Sequence, residues 1–190
     1  MHVCLTICAD DSKFLASIVF KGNKKTGKLS PRFLNKLVIP ENVRIFSIHS
    51  GWWNSAFDQF WISETFDERH DGGTLIRASS REFRKSDLLE NPGIEQVIIP
   101  ARLTGTYQPL DAGVNFPLES YLRRSYHVWR DDLTAVTKSG YLEKPSRQDF
   151  IHFVSEAWDK IKEEIMDSPE DLVASFECSF SSVEDSFTEE

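Results

Sequence analysis

The sequence predicts an α/β fold, a hairpin-rich mixed sheet flanked by helices. Apolar residues alternate with others near the start, as Val3, Leu5 and Ile7 do against Cys4, Thr6 and Cys8 in "HVCLTIC", which is the period of a half-buried strand. Further on they recur at three and four residues, the period of an amphipathic helix, in 53–61, 118–129 and 151–165. Between these lies the order strand, helix, strand, which a parallel crossover requires.

Taken in order, "HVCLTIC", the turn residues "ADDS" and the β-rich "KFLASIVF" form a hairpin or the start of a meander. "GNKKTGKLSPR" is a basic loop, and "VRIFSI" is a third strand. In "GWWNSAFDQFWISETF" the aromatic residues Trp53, Phe57, Phe60 and Trp61 define an inward stripe on a structural helix. "TLIRAS" is a short strand, "REFRKSDLLENPG" a helix stopped by Asn91, Pro92 and Gly93, and "QVIIP" an almost wholly apolar strand of the buried kind. From Pro117, Leu118, Tyr121, Leu122, Ser125 and Trp129 keep one helical face apolar, with Arg123, Arg124 and Arg130 elsewhere on the cylinder. A second long helix starts near Ser146, which stands three residues before Asp149 as in a capping box, and Ile151, Val154, Trp158, Ile161 and Ile165 make its stripe.

The 190 residues, 40% hydrophobic and 27% charged, suit one globular body with a sizeable core, expected over 1–166, and an acidic, partly disordered tail over 167–190. The net charge of −8 is uneven: twelve of the 30 acids but two of the 22 bases lie from Glu156 onward, leaving 18 acids against 20 bases in residues 1–155. Overall acidity therefore says little about what the body binds, because local patches set the field. Cys4, Cys8 and Cys178 have no zinc-ribbon spacing and are expected as reduced thiols of an intracellular protein. No secretory leader is visible, and no apolar run approaches the roughly 20 residues of a membrane span, so a soluble protein with no membrane partner is expected.

"GNKKTGKL", residues 22–29, nearly satisfies the phosphate-loop pattern. It fails where the magnesium-binding Ser or Thr should stand, since that position is Leu29, and the helix that follows is cut short by Pro40. The loop is a solvated turn whose Lys21, Lys24, Lys25 and Lys28, with Arg32, can also neutralise a nucleic-acid backbone. His2, His49, His70, His127 and His152 are scattered without zinc-site spacing, and no Gly-x-Ser-x-Gly elbow is present. Asp111 sits ahead of an amphipathic helix, where an aspartate serves either as an N-cap or as a metal ligand.

The segment "VIIPARLTGTYQPLDAGVNFPLESYLRR" resembles the closing half of the DDE endonuclease domain of pogo-type transposases, the group of Tigger, jerky and centromere-protein-B-like proteins. "ICADDSKFLASIVFKGN", "GWWNSAFDQFW", "KPSRQDFIHFVSEAWDKI" and "SFECSFSSVEDSFTEE" are similar to further family segments, in the family's order. The resemblance implies a ribonuclease-H-like fold in which three carboxylates hold two Mg2+ or Mn2+ ions about 4 Å apart for phosphodiester cleavage. Asp111 matches the third carboxylate, so the resemblance implies that it is the inherited catalytic and metal position, expected to be no longer functional. The family's first aspartate belongs to a strand ahead of the hairpin, which this chain is expected to lack. The second falls at Ala78, with Phe83 near the family's histidine. Asp71 precedes that strand end by roughly 23 Å at about 3.3 Å per residue, and Asp87 lies too far along. The centre is therefore expected to be dismantled, with no cofactor. Residual weak, non-specific nucleic-acid binding through Lys21, Lys24, Lys25, Lys28, Arg32, Arg123 and Arg124 is one expectation. Docking of a protein partner or a second copy on an exposed sheet edge or the acidic tail is the other. The resemblance also implies a nuclear protein.

Overall fold

The computed structural model describes residues 1–8, 12–66, 73–78, 94–100, 108, 110–132 and 143–161. The helix expected over 81–93, the residues Asp71, Phe83, Asp87 and Ile165, and the acidic tail lie outside the described residues. Among the described residues, strands β1 (His2–Cys4), β2 (Ala16–Lys21), β3 (Val43–Ile48), β4 (Gly73–Ala78) and β5 (Ile94–Ile99) accompany α-helices α1 (Pro31–Leu34), α2 (Ser55–Phe66), α3 (Asn115–Asp131) and α4 (Arg147–Lys160).

The first two strands pair antiparallel, His2 opposite Val19, and a bridge from Ile7 to Lys13 extends the hairpin. β3 then joins the other side of β2 in parallel, Ala16 opposite Val43 and Lys21 opposite Ile48. β2 is thus the middle strand, and its sequence suits that place, because both of its faces are buried. Ala16, Ile18 and Phe20 face a core completed by Val114 and Leu118 ahead of and on α3, and by Ile151, Val154, Ala157 and Trp158 on α4. Val19, one residue out of phase, packs in a second core with Phe46 and with Phe57, Trp61 and Ile62 of α2. Ser17 shares that phase, and its hydroxyl accepts a hydrogen bond from Trp61 Nε1 at 3.0 Å. Helices therefore cover both faces of the mixed sheet.

α4 is bolted to the sheet by polar contacts at its C-terminal half. Lys13 Nζ donates to the carbonyls of Trp158 and Ile161, at 3.0 and 2.7 Å, so a cation meets the negative end of the helix. Trp158 Nε1 donates back to Phe14 O at 2.9 Å, and Asn42 donates to Asp159 Oδ1 at 2.6 Å. At its other end the expected box is present: Ser146 accepts from Asp149 N while Asp149 accepts from Ser146 N.

β4 and β5 pair in parallel from Gly73–Ile94 to Ala78–Ile99, as a crossover demands. They form a separate two-stranded sheet, and among the described residues no ladder joins it to β1 or β3. β5 is less enclosed than its composition suggested. Ile76 and Val97 are register partners and remain 52% and 43% exposed. The opposite face carries Leu75 and Arg77 onto α2.

The junction is a buried ion pair. Asp58 of α2 is 0% exposed, and both its oxygens accept from the Arg77 guanidinium, while Trp53 Nε1 donates to Oδ1 at 2.8 Å. The inward side of α2 therefore consists of Phe57, Asp58, Trp61 and Ile62. Phe60, expected inside, is 50% exposed: it stands one position off the i, i+3, i+4 row that Asp58 occupies. Arg77→Leu should cost about 3–5 kcal/mol in a urea titration, because Asp58 would stay buried without its partner. Adding Asp58→Leu should recover a large share of that loss, and purely additive losses in the double variant would count against the pair as the junction.

Candidate functional site

Asp111 lies in a turn of π-helix, Leu110–Val114, that runs straight into α3. Val114 anchors this turn in the first core, with Leu110 packed against it. The Asp111 backbone N–H donates to Gln108 O at 3.0 Å, and its half-buried carboxylate accepts from Asn115 Nδ2 at 2.5 Å. The helix-cap expectation is corrected here: Val114 is the N-cap residue, no side chain caps α3, and the Asp111 carboxylate binds a side-chain amide instead of a backbone one. The preceding turn is already helical, so its carbonyls are placed to take the first amides of α3 and a side-chain cap has nothing to add.

Ala78, which the resemblance sets at the place of a second carboxylate, is the last of β4 and stands opposite Ile99 at the end of β5. Two divalent ions require several converging carboxylates. Among the described residues no group of three His, Cys, Asp or Glu side chains comes together. The fully buried acid, Asp58, is committed to Arg77 and Trp53. Beside it, burial pushes the Cys4 thiol up to about 12, with Arg77 opposing and Asp58 adding to the shift, so this cysteine is held as the inert neutral thiol. The described residues do not fit a two-ion centre.

The basic residues fall into two groups. Lys21 ends β2 beside Ile48, the end of β3, and Gly22 N donates to Ile48 O at 2.9 Å. The loop then ties itself up: Asn23 N donates to Lys28 O at 3.0 Å, Gly27 N to Asn23 O at 2.8 Å, and Lys25 N to Asn23 Oδ1 at 2.7 Å. Gly22 is needed for this closure, since a Cβ there would sit 2.0 Å from Gly27 O, and Gly27 itself has a φ of +68°. Leu29, which spoiled the phosphate-loop pattern, is a core residue. Lys21, Lys24, Lys25, Lys28 and Arg32 are all exposed, and among the described residues none is in an ion pair. Arg147, which the sequence did not single out, joins them by donating to Lys21 O at 3.3 Å.

The second group is on α3, where Leu118, Tyr121, Leu122, Ser125 and Trp129 turn inward as their spacing indicated, and Arg123 and Arg124 are exposed. Arg123 is offset by Glu119 at 3.2 Å and Arg130 by Asp131 at 3.7 Å. No described contact brings Arg123 or Arg124 to the loop. None of the described helices is long and apolar enough to cross a membrane.

With a mixed sheet covered by helices, and Asp111 entering a long helix after a parallel strand pair, the chain can be set beside known proteins by its sequence. This chain belongs to the DDE superfamily endonucleases, whose family model matches residues 1–169. It is of the pogo type: it is 27% identical over 170 residues to a mouse protein, Pogo transposable element with KRAB domain, and 26% identical over 169 residues to the human protein so named. Each match covers 84% of this chain, which spans about a quarter, 26%, of the length of these relatives. No solved structure matches.

Proposed function

We propose that this chain is a transposase-derived, ribonuclease-H-like domain that binds nucleic acid without cutting it, in the nucleus as its resemblance implies. The observation that carries the first half is Ala78. A methyl group ends β4 where the chemistry needs a carboxylate, and loss at this one position is enough to remove the bridging charge between two ions. The hydrogen bond from Asn115 supports the same view, because it gives Asp111 a structural partner. Supercoiled plasmid incubated with the protein and Mg2+ or Mn2+ should stay intact; nicking that Asp111→Ala abolishes would overturn this half of the proposal.

The binding half rests on the unpaired lysines of the 22–28 loop. Residues 12–40 hold seven bases and no acid, so an acidic chain presents one locally positive surface. Duplex DNA titrated by fluorescence anisotropy should bind with an affinity that falls linearly in log[salt]. Lys24→Glu with Lys25→Glu should flatten that slope by about 0.9 for each phosphate contact removed. An unaltered slope would sink the assignment to this loop.

A second reading is favoured by a separate observation, the division of the strands into two sheets. Among the described residues β1 and β3 are edges of one sheet and β4 and β5 of the other, and such edges carry backbone groups able to take a strand from a protein partner or a second copy. Sedimentation should then show a mass that rises with concentration, and a strict monomer up to about millimolar concentration would dispose of self-docking through these edges, since a weak strand-addition contact reaches about that affinity.

A further inference from the structure

Beside the lysine loop stands an aromatic ring that the fold does not need. Of the doublet in "GWWNS", Trp53 turns inward, against Phe57 at 4.7 Å and Trp61 at 5.5 Å. Trp52 turns outward and is 69% exposed, more than any other large apolar side chain described. Its backbone is nevertheless held: Ser50 Oγ accepts from Trp52 N at 3.0 Å and donates to Trp52 O at 3.2 Å. The ring is steadied by His2, whose centroid lies 4.8 Å away at a tilt of 58°. A tryptophan with a fixed root and an open flank loses little entropy when a planar ligand settles on it.

The short segment 49–52 connects this ring to the loop. Gly51, with a φ of +73°, lets the chain turn back from β3, and its Cβ position lies 3.0 Å from Lys21 Cβ. Gly27 of the loop comes equally near, its Cβ position 3.2 Å from His49 N. Lys21, Lys28, the exposed His49 and Trp52 therefore belong to one surface at the ends of β2 and β3, with Lys24 and Lys25 at its outer rim. A flat ring beside several unpaired cations is the combination that takes an unpaired base together with its phosphates, the ring by stacking and the cations by charge. A duplex keeps its bases stacked on one another and can use only the cations.

We propose that Trp52 is a base-stacking platform, and that with Lys21, Lys24, Lys25 and Lys28 it forms a site selective for single-stranded DNA. This rests on the nucleic-acid binding proposed above and adds its substrate class. Anisotropy titrations of the full chain would compare an oligothymidylate of about 15 nucleotides with a duplex of the same length. Trp52→Ala should weaken the single strand about tenfold and leave the duplex and both salt slopes unchanged, while Trp52→Phe should retain most of the single-strand affinity. Lys24→Glu with Lys25→Glu should weaken both ligands. Because Trp52 lies outside both cores, a matching urea midpoint should confirm that the alanine variant folds. Equal affinity of Trp52→Ala and the parent for the single strand would overturn the platform while leaving lysine-dependent binding in place. Absence of any binding at low salt would overturn both.

Discussion

The structure depends on one buried contact, the Arg77 guanidinium closed over Asp58 with Trp53 completing the carboxylate's hydrogen bonds. Two charges removed from water repay that cost only when every donor and acceptor is matched, and here the planar fork of Arg77 meets both oxygens. The contact has a positional consequence. Among the described residues β4 and β5 have no ladder to the other strands and meet α2 through this pair and through Leu75 in the second core. α2 in turn is fixed by Trp61, which fills the same core and donates to Ser17 of the central strand. A helix thus does between the two sheets what hydrogen-bonded strands do within each.

Much of this was legible in the sequence, and where it was not the cause is specific. "VRIFSI" became β3, residue for residue, because alternation and flanking turn residues agree there. The stripe of α3 and the Ser146–Asp149 box of α4 were equally plain, since both rest on local spacing. The inward side of α2 was half right: a count of apolar residues picked Phe60 and passed over Asp58, because a charged residue becomes an inside residue only when a distant strand supplies its partner. The outward turn of Trp52 was hidden for a similar reason. Two adjacent tryptophans cannot both face the core of a surface segment, but which one faces out is decided by Gly51 and Ser50 at the chain reversal. Asp111 was placed at the right junction and given the wrong bond, because a helix that begins with a wide turn looks in sequence like one that begins with a cap.

The two stretches on which the proposals rest are built on different strands. The lysine loop and Trp52 sit where the parallel strands β2 and β3 end, in the three-stranded sheet. Ala78 belongs to the two-stranded sheet, and Asp111 follows β5 along the chain. A substitution at the end of β4 therefore touches neither the lysine loop nor Trp52. In the proposed function, this separation is the physical route by which a chain of an endonuclease family holds nucleic acid without cutting it.

Amide hydrogen exchange of the full chain, with and without a saturating DNA oligonucleotide in the presence of Mg2+, tests that separation most directly. Added protection is expected at residues 21–28 and 49–52, with β4, β5 and the Asp111 turn unchanged. Protection centred on residues 76–78 and 108–115, with the lysine loop exchanging as before, would contradict it.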